Sequence, residues 1–282
     1  MGEQQSNLHD DEQNPVLLEL SAMIHKYCGI KYDDNLFSLN SKVQQRLGAL
    51  QVSLRDYLLY LEATPGEWDT LVESITINET YFFREEMQMQ EMMNNVLPKL
   101  AANDSIRIWS AACSTGEEPY TIAMSIANSH VIPLSKVEIY ATDINRKVLQ
   151  LAEQGWYSKT SMCFRRTPQE MKNKFFIKDE LGYRLRDSIR ERVQFSHINL
   201  TDEDRKASSQ DRPLMDVIFC RNVLIYFDQP TVRQVIQHLS QWLKPGGYLF
   251  LGHAETITGM IEEFQTINTA TTHYYRKSGG SQ

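Results

Sequence analysis

Hydrophobic positions recur along this chain with two different periods, and the change from one to the other divides it. From Asn14-Pro15 the spacing is helical: Leu17, Leu20, Ile24 and Tyr27 fall on one face, and Gly29 stops the run. Asn40 or Ser41 opens a second helix with Val43, Leu47 and Leu50. Ser53 opens a third with Tyr57, Leu58 and Leu61, and Thr64-Pro65 a fourth with Trp68, Leu71 and Ile75. These predict a small all-helical domain over residues 15–76. The polar, acidic residues 1–14 ahead of it, and the end from Lys277 to Gln282, read as unstructured.

Further along, strand and helix patterns alternate. Ile106 and Ile108 flank Arg107 as in a strand, and the small residues Ala111, Ala112, Ser114, Thr115 and Gly116 follow. A helix then starts at Glu117-Glu118-Pro119 and carries Ile122, Ala123 and Ile126. Val137 to Ala141 is a second strand ending in Thr142-Asp143, and Arg146 to Gln154 a helix stopped by Gly155. Asp216 to Cys220 is a buried strand, Gln229 to Leu243 an amphipathic helix, Lys244-Pro-Gly-Gly247 a tight turn, Tyr248 to Gly252 a strand and Thr272 to Tyr275 the last. The alternation predicts a doubly wound, Rossmann-like α/β domain over residues 85–276.

Within it, Pro168 to Phe176 reads as helix, and Tyr183 to Arg186 and Val193 to Ile198 as short strands, a small α+β insertion at about 156–198. Its arginines, Arg184, Arg186, Arg190 and Arg192, read as a hairpin that either recognises a partner or guards a sheet edge, and His197 reads as structural. Residues 77–84 link the two domains. Tyr81, Phe82 and Phe83 are costly to expose there, so the linker should pack across the ligand site; packing alone explains Asn78, Thr80 and Arg84 less well. The next helix, Glu85 to Leu97, is rich in methionines that suit a core.

Composition narrows the function. With 282 residues and 41% hydrophobic content, two modest domains are affordable. Cys28, Cys113, Cys163 and Cys220 are too scattered for a disulfide framework or a zinc site and read as reduced thiols. No apolar run approaches the ~20 residues of a membrane span and no signal-peptide core is present, so the expected compartment is the cytoplasm, without direct membrane insertion. The net charge of −7 is uneven: residues 1–78 hold 5 Lys or Arg against 12 Asp or Glu, the remainder 24 against 24. That balance argues against a nucleic-acid partner. Lys42 and Arg46, four apart on one helix face, and Arg55 form either a solvated basic face or a docking surface for an acidic partner.

The strand tips carry the candidate chemistry. Glu117 and Glu118 at a helix start are wrong for a phosphate cradle and suit a cation or hydroxyl groups. S-adenosylmethionine (SAM) offers both, and Asp143 at the next tip stands where ribose hydroxyls are held. A dinucleotide enzyme is the alternative on these two turns. A third tip, from Arg221-Asn222 to Tyr226, faces the same crevice.

With these runs in hand the chain closely resembles the chemotaxis receptor methyltransferase (CheR) family. The resemblance is carried by Asn78-Glu-Thr-Tyr-Phe-Phe-Arg84, Trp109 through Tyr120, Ala141-Thr-Asp-Ile144, Asn199-Leu200, Phe219 through Asp228 and Leu243-Lys-Pro-Gly-Gly247. It implies a SAM-dependent methyltransferase sheet with an N-terminal all-helical domain and a small antiparallel β insertion. It also implies methylation of glutamate side chains on the cytoplasmic helices of chemoreceptors, with S-adenosylhomocysteine as product and no metal, in a monomeric protein. By matching position, Asn78, Thr80, Arg84, Glu118, Asp143, Asn199, Leu200, Arg221 and Asn222 would line the SAM site, and Arg84, Arg221 and Tyr226 would surround the transferred methyl. The insertion matches the family's β-subdomain, which in some members grips the receptor's C-terminal tail. Here the segment between Phe176 and Phe195 is short and lacks the longer glycine-containing loop of tail-gripping members, which puts tethering in doubt. A methyltransferase for RNA or a small molecule would want a basic or aromatic face that the charge counts do not supply. A SAM-binding module without catalysis would have lost Arg84 or Tyr226, and both are present.

Overall fold

The computed structural model describes residues 3–202 and 213–279, with side chains from Pro15 onward. The chain forms two compact units: the segment up to Ile77 together with Tyr226–Thr231, and Asn78–Ile225 together with the chain from Val232.

The helical unit contains α1 (Glu3–Cys28), α2 (Leu36–Leu50), α3 (Leu54–Ala63) and α4 (Glu67–Ile75). The start expected at Asn14-Pro15 falls inside α1, whose backbone runs on through the stretch read as unstructured; residues 1 and 2 lie outside the described residues. Helix α2 begins earlier than Asn40, because the Asn35 side chain accepts the Ser38 N–H and caps it. Ser53 caps α3 as its spacing predicts. Leu20, Ile24, Leu39, Val43, Tyr57, Leu61, Leu71 and Ile75 are fully or almost fully buried between these helices.

One carboxylate is buried with them. Glu67 is 3% exposed, and Arg46 donates to it from Nε at 2.8 Å and from Nη2 at 2.6 Å while the Tyr57 hydroxyl donates at 2.9 Å. Burial pushes the Glu67 carboxyl up, but the bonds from Arg46 and Tyr57 outweigh it and hold the group below its ordinary range. Lys42 is also engaged internally, its ammonium donating to the Ile75 carbonyl at 2.7 Å. The face read as a docking surface is thus partly structural, and Arg55 is its exposed member.

The second unit is built on a seven-stranded sheet in the order β6-β2-β1-β7-β8-β10-β9. Leading into it, α5 (Glu86–Glu91) passes through a π turn at Met92–Val96 into α6 (Leu97–Leu100), with Met89, Met92 and Met93 in the core as expected and Met87 exposed instead. Then come β1 (Ile106–Ala111), α7 (Glu117–Asn128), β2 (Val137–Asp143) and α8 (Arg146–Gln154). The insertion follows, with β3 (Trp156–Ser158), α9 (Gln169–Phe175), β4 (Phe176–Lys178) and β5 (Gly182–Leu185) making a separate antiparallel sheet in the order β3-β5-β4. A short α10 (Asp187–Arg190) leads back to β6 (Val193–His197). The remaining elements are β7 (Met215–Cys220), α11 (Gln229–Trp242), β8 (Leu243–Leu251), β9 (Phe264–Asn268) and β10 (His273–Lys277).

Three readings change. Strand β6 is no part of the insertion; it pairs parallel with β2 at the edge of the main sheet, Asp143 opposite His197, so the insertion ends before it. Helix α10 separates β5 from β6, so the four arginines do not share one hairpin: Arg184 lies on β5, while Arg186 donates to the Lys174 carbonyl and Arg190 to Asp187. Lys244-Pro-Gly-Gly247 lies within β8 as a bulge opposite Asp216, and the Lys244 ammonium sits 2.8 Å from that buried carboxylate. In the linker Phe82 is fully buried and packs on the insertion, its ring 4.8 to 5.3 Å from those of Tyr157, Phe176 and Phe164.

Replacing Arg46 by Ala strands the buried Glu67 charge. Because Arg46 is itself part-exposed, the expected loss is on the order of 2 kcal/mol rather than the larger penalty of a fully buried pair. It is read as an earlier urea midpoint, with Arg46→Lys recovering part of it.

Candidate active site

In the parallel part of the sheet the chain runs from β1 to β2 and β6 on one side and to β7 and β8 on the other, so the crevice at the carboxyl ends opens beside β1. Gly116 opens α7 there with φ 91°, and a Cβ in its place would sit 3.0 Å from Ala152 Cβ and 3.1 Å from the Tyr120 ring. Backbone strain gathers around this edge. Six described non-glycine residues have left-handed φ, and five of them, Phe83, Glu85, Ala112, Ser114 and Asn222, lie in the linker, at the cap of α5, in the loop after β1 and at the exit of β7.

Asp143 at the tip of β2 is buried, and its oxygens accept the Ser114 N–H at 2.8 Å and the Asn145 N–H at 2.9 Å. Burial pushes its carboxyl above the ordinary range despite those bonds. The same loop holds the linker, the Ser114 hydroxyl donating to the Asn78 carbonyl at 2.9 Å. Glu118, on the first turn of α7, accepts from the Ser110 hydroxyl at 2.6 Å and stands 2.8 Å from Arg221 Nε. That last contact is an ion pair whose angle falls short of a hydrogen bond. Burial raises the Glu118 carboxyl too, with Arg221 opposing it.

Arg221 is 6% exposed and spent inside the unit: Nη2 donates to the Arg84 carbonyl at 2.9 Å and Nη1 to Gln88 Oε1 at 3.3 Å. These contacts give it a scaffolding role between the linker and α5. Arg84 differs. It is half-buried, and among the described residues its guanidinium makes one hydrogen bond, to the Glu79 carbonyl at 3.1 Å, and lies 5.5 Å from the Tyr81 ring. Asn222 donates from Nδ2 to Glu85 at 3.2 Å. Asn199 and Leu200 follow β6 and are half-buried, Asn199 Oδ1 accepting from Thr201, and Thr80 is half-buried in the linker. Tyr226 groups by its contacts with the helical unit, where its carbonyl accepts the Lys31 N–H at 3.2 Å. Two desolvated carboxylates at neighbouring tips, joined by a loop of small side chains, suit a ligand with hydroxyl donors and a positive charge, as SAM has.

Residues 78–273 match the family described as CheR methyltransferase, SAM binding domain. The chain belongs to the CheR methyltransferase family. It is similar to Chemotaxis protein methyltransferase 2 of Vibrio cholerae, 38% identical over 237 residues that cover 81% of this chain and 80% of that one. It is also similar to the Chemotaxis protein methyltransferase of Borreliella burgdorferi, 34% identical over 270 residues, 90% of this chain and 92% of that one. As a CheR-family enzyme it is a SAM-dependent protein-glutamate O-methyltransferase. Among the described residues no helix is long and apolar enough to cross a membrane.

Sequence reading missed three residues that brace this corner. Gln88 is 1% exposed and donates to the Leu251 carbonyl at 2.6 Å while accepting from Arg221. Glu85 accepts from Asn222 and lies 3.0 Å from His253 Nδ1. Burial raises its carboxyl, but Arg221, His253 and Asn222 outweigh that and hold it below its ordinary range. The third, Glu255, binds backbone at the exits of β7 and β8. A glutamine amid buried methionines was the one visible signal.

Glu117, paired with Glu118 in sequence, is 3% exposed and accepts from the Thr115 hydroxyl at 2.7 Å. Burial pushes its carboxyl up from the ordinary 4.5 to about 7, with the Thr115 bond opposing. The folded protein therefore keeps this proton across a window where the unfolded chain has released it, and stability falls as pH rises from 4.5 to about 7. Glu117→Gln should remove that slope and add roughly 3 kcal/mol above the window. Urea unfolding at a series of pH values checks it; a slope equal to the parent's would show that Glu117 does not set it.

Proposed function

We propose that the corner formed by the linker, the β1 loop and the β7 exit is the SAM site, and that Arg84 aims a chemoreceptor glutamate for esterification in the cytoplasm. The reading is carried by the contrast between two arginines: Arg221 is buried and committed, while Arg84 is half-buried with one hydrogen bond among the described residues. SAM, when bound, supplies a methyl group on a positive sulfonium. Glu118 and Asp143 would hold its ammonium and hydroxyl groups, with Asn78, Thr80, Asn199, Leu200 and Asn222 completing the lining.

A glutamate side chain is already an anion at neutral pH, its unperturbed pKa being ~4.3, so no residue here needs to remove a proton. The protein's task is to strip water from that carboxylate and hold one oxygen while the other attacks. Arg84 can do this with a charge-assisted bond. Over-neutralising the carboxylate would blunt it as a nucleophile, and commitment of Arg221 elsewhere limits that.

For the partner, Arg55 is the exposed member of the face formed with Lys42 and Arg46, which serve the unit's own structure. Tail gripping finds little support: β4 and β5 are joined by Asp179 to Leu181 alone, closed by the Leu181 N–H on Asp179 Oδ1 at 2.8 Å.

Incubation with methyl-labelled SAM and receptor-containing membranes should place label on the receptor in a form that mild base releases as methanol. Base-stable label would overturn the ester. Arg84→Ala should lower turnover at saturating SAM ~100-fold while changing SAM affinity much less. Single-turnover rates beside calorimetric binding measure the two effects separately.

A further inference from the structure

Glu255 belongs to none of the motifs that carry the SAM site. It is 4% exposed, and its carboxylate accepts backbone N–H groups from Asn222 at 2.8 Å and Gly252 at 2.6 Å on Oε2, and from Leu224 at 2.7 Å on Oε1. Two of these donors lie at the exit of β7 and one at the exit of β8, so a single carboxylate staples neighbouring strand tips. Bonds to an ionised acceptor are roughly twice as strong as neutral ones.

The staple sits where the backbone needs holding. Asn222 has φ 60°, in the left-handed region that non-glycine residues adopt uncommonly. The two exits approach so closely that a Cβ on Gly252 would lie 2.7 Å from both Glu255 Oε2 and Asn222 Nδ2. Asn222 Nδ2 goes on to Glu85, so the corner bound by Glu255 is continuous with the linker that carries Arg84.

We propose that Glu255 is a positioning residue that holds the Arg221–Asn222 corner in the backbone conformation that receives SAM. This rests on the reading of that corner as the SAM site. Glu255 acts through the amides of Asn222 and Leu224. A glutamine in its place keeps one accepting oxygen and turns an NH₂ toward donors it cannot satisfy. The corner then samples open conformations, and part of the SAM binding energy is spent closing it. Affinity falls by the fraction of molecules that are competent, while turnover at saturating SAM is largely kept.

The test is calorimetric binding of S-adenosylhomocysteine to the parent protein, Glu255→Gln and Asn222→Ala, with SAM titrations of turnover and hydrogen exchange over residues 221–224. For Glu255→Gln the dissociation constant should rise ~10-fold or more. Turnover at saturating SAM should stay within roughly threefold. Exchange at 221–224 should quicken without ligand and slow again at saturating S-adenosylhomocysteine. An unchanged dissociation constant in Glu255→Gln beside a weakened Asn222→Ala overturns the positioning role and leaves the site in place. Unchanged binding in both overturns the site itself, and the proposal with it. If the glutamine variant does not fold, Glu255→Asp, which keeps the charge at shorter reach, is read by the same criteria. Fast exchange of the Asn222 and Leu224 amides in the parent protein overturns the proposal without any variant.

Discussion

Taking a guanidinium out of water costs several kcal/mol unless acceptors surround it. Arg221 meets that constraint with groups from three separate segments: Glu118 on α7, Gln88 on α5 and the main chain of Arg84 in the linker. Moving any one of the three leaves a buried charge short of a partner. The cation thus fixes the linker against the β7 exit and the start of α7, and it is why a connector can carry a candidate catalytic side chain with a defined orientation.

Around that cation the strand tips are held mostly by carboxylates bound to backbone amides. Asp143 takes Ser114 and Asn145, and Glu255 takes Asn222, Leu224 and Gly252. Side-chain acceptors stand in where ladder hydrogen bonds stop and the chain turns. They also sustain the left-handed residues of this edge, whose strain would otherwise be relieved by the loops relaxing. Amides held in this way leave less ordering for a ligand to offset.

The helical unit follows the same rule with its own buried charge. Glu67 claims Arg46, and the Ile75 carbonyl claims Lys42, so cations that look free on a helix face are internal partners. A basic side chain in an acidic domain is not by itself a docking group; the nearest desolvated carboxylate has first claim on it.

How much could be read from the sequence follows from which interactions are local. Amphipathic spacing, the Ser53 cap, the Gly155 stop and the aromatic linker were all legible, and so was the set of polar side chains at the strand tips, because each depends on neighbours within a few positions. The resemblance then named the family from runs of that kind. Tertiary structure alone decided that β6 joins the main sheet, since a short alternating strand reads the same against either sheet until its partner is known. It also decided that Lys244-Pro-Gly-Gly247 is a bulge held to Asp216, that Lys42 and Arg46 turn inward, and that Arg221 rather than Arg84 is the buried arginine. Each of these turns on the partner of a charge or a strand that lies far away in the chain, as Gln88 does from Arg221. Periodicity records which face of an element is buried; it carries no record of what that face meets.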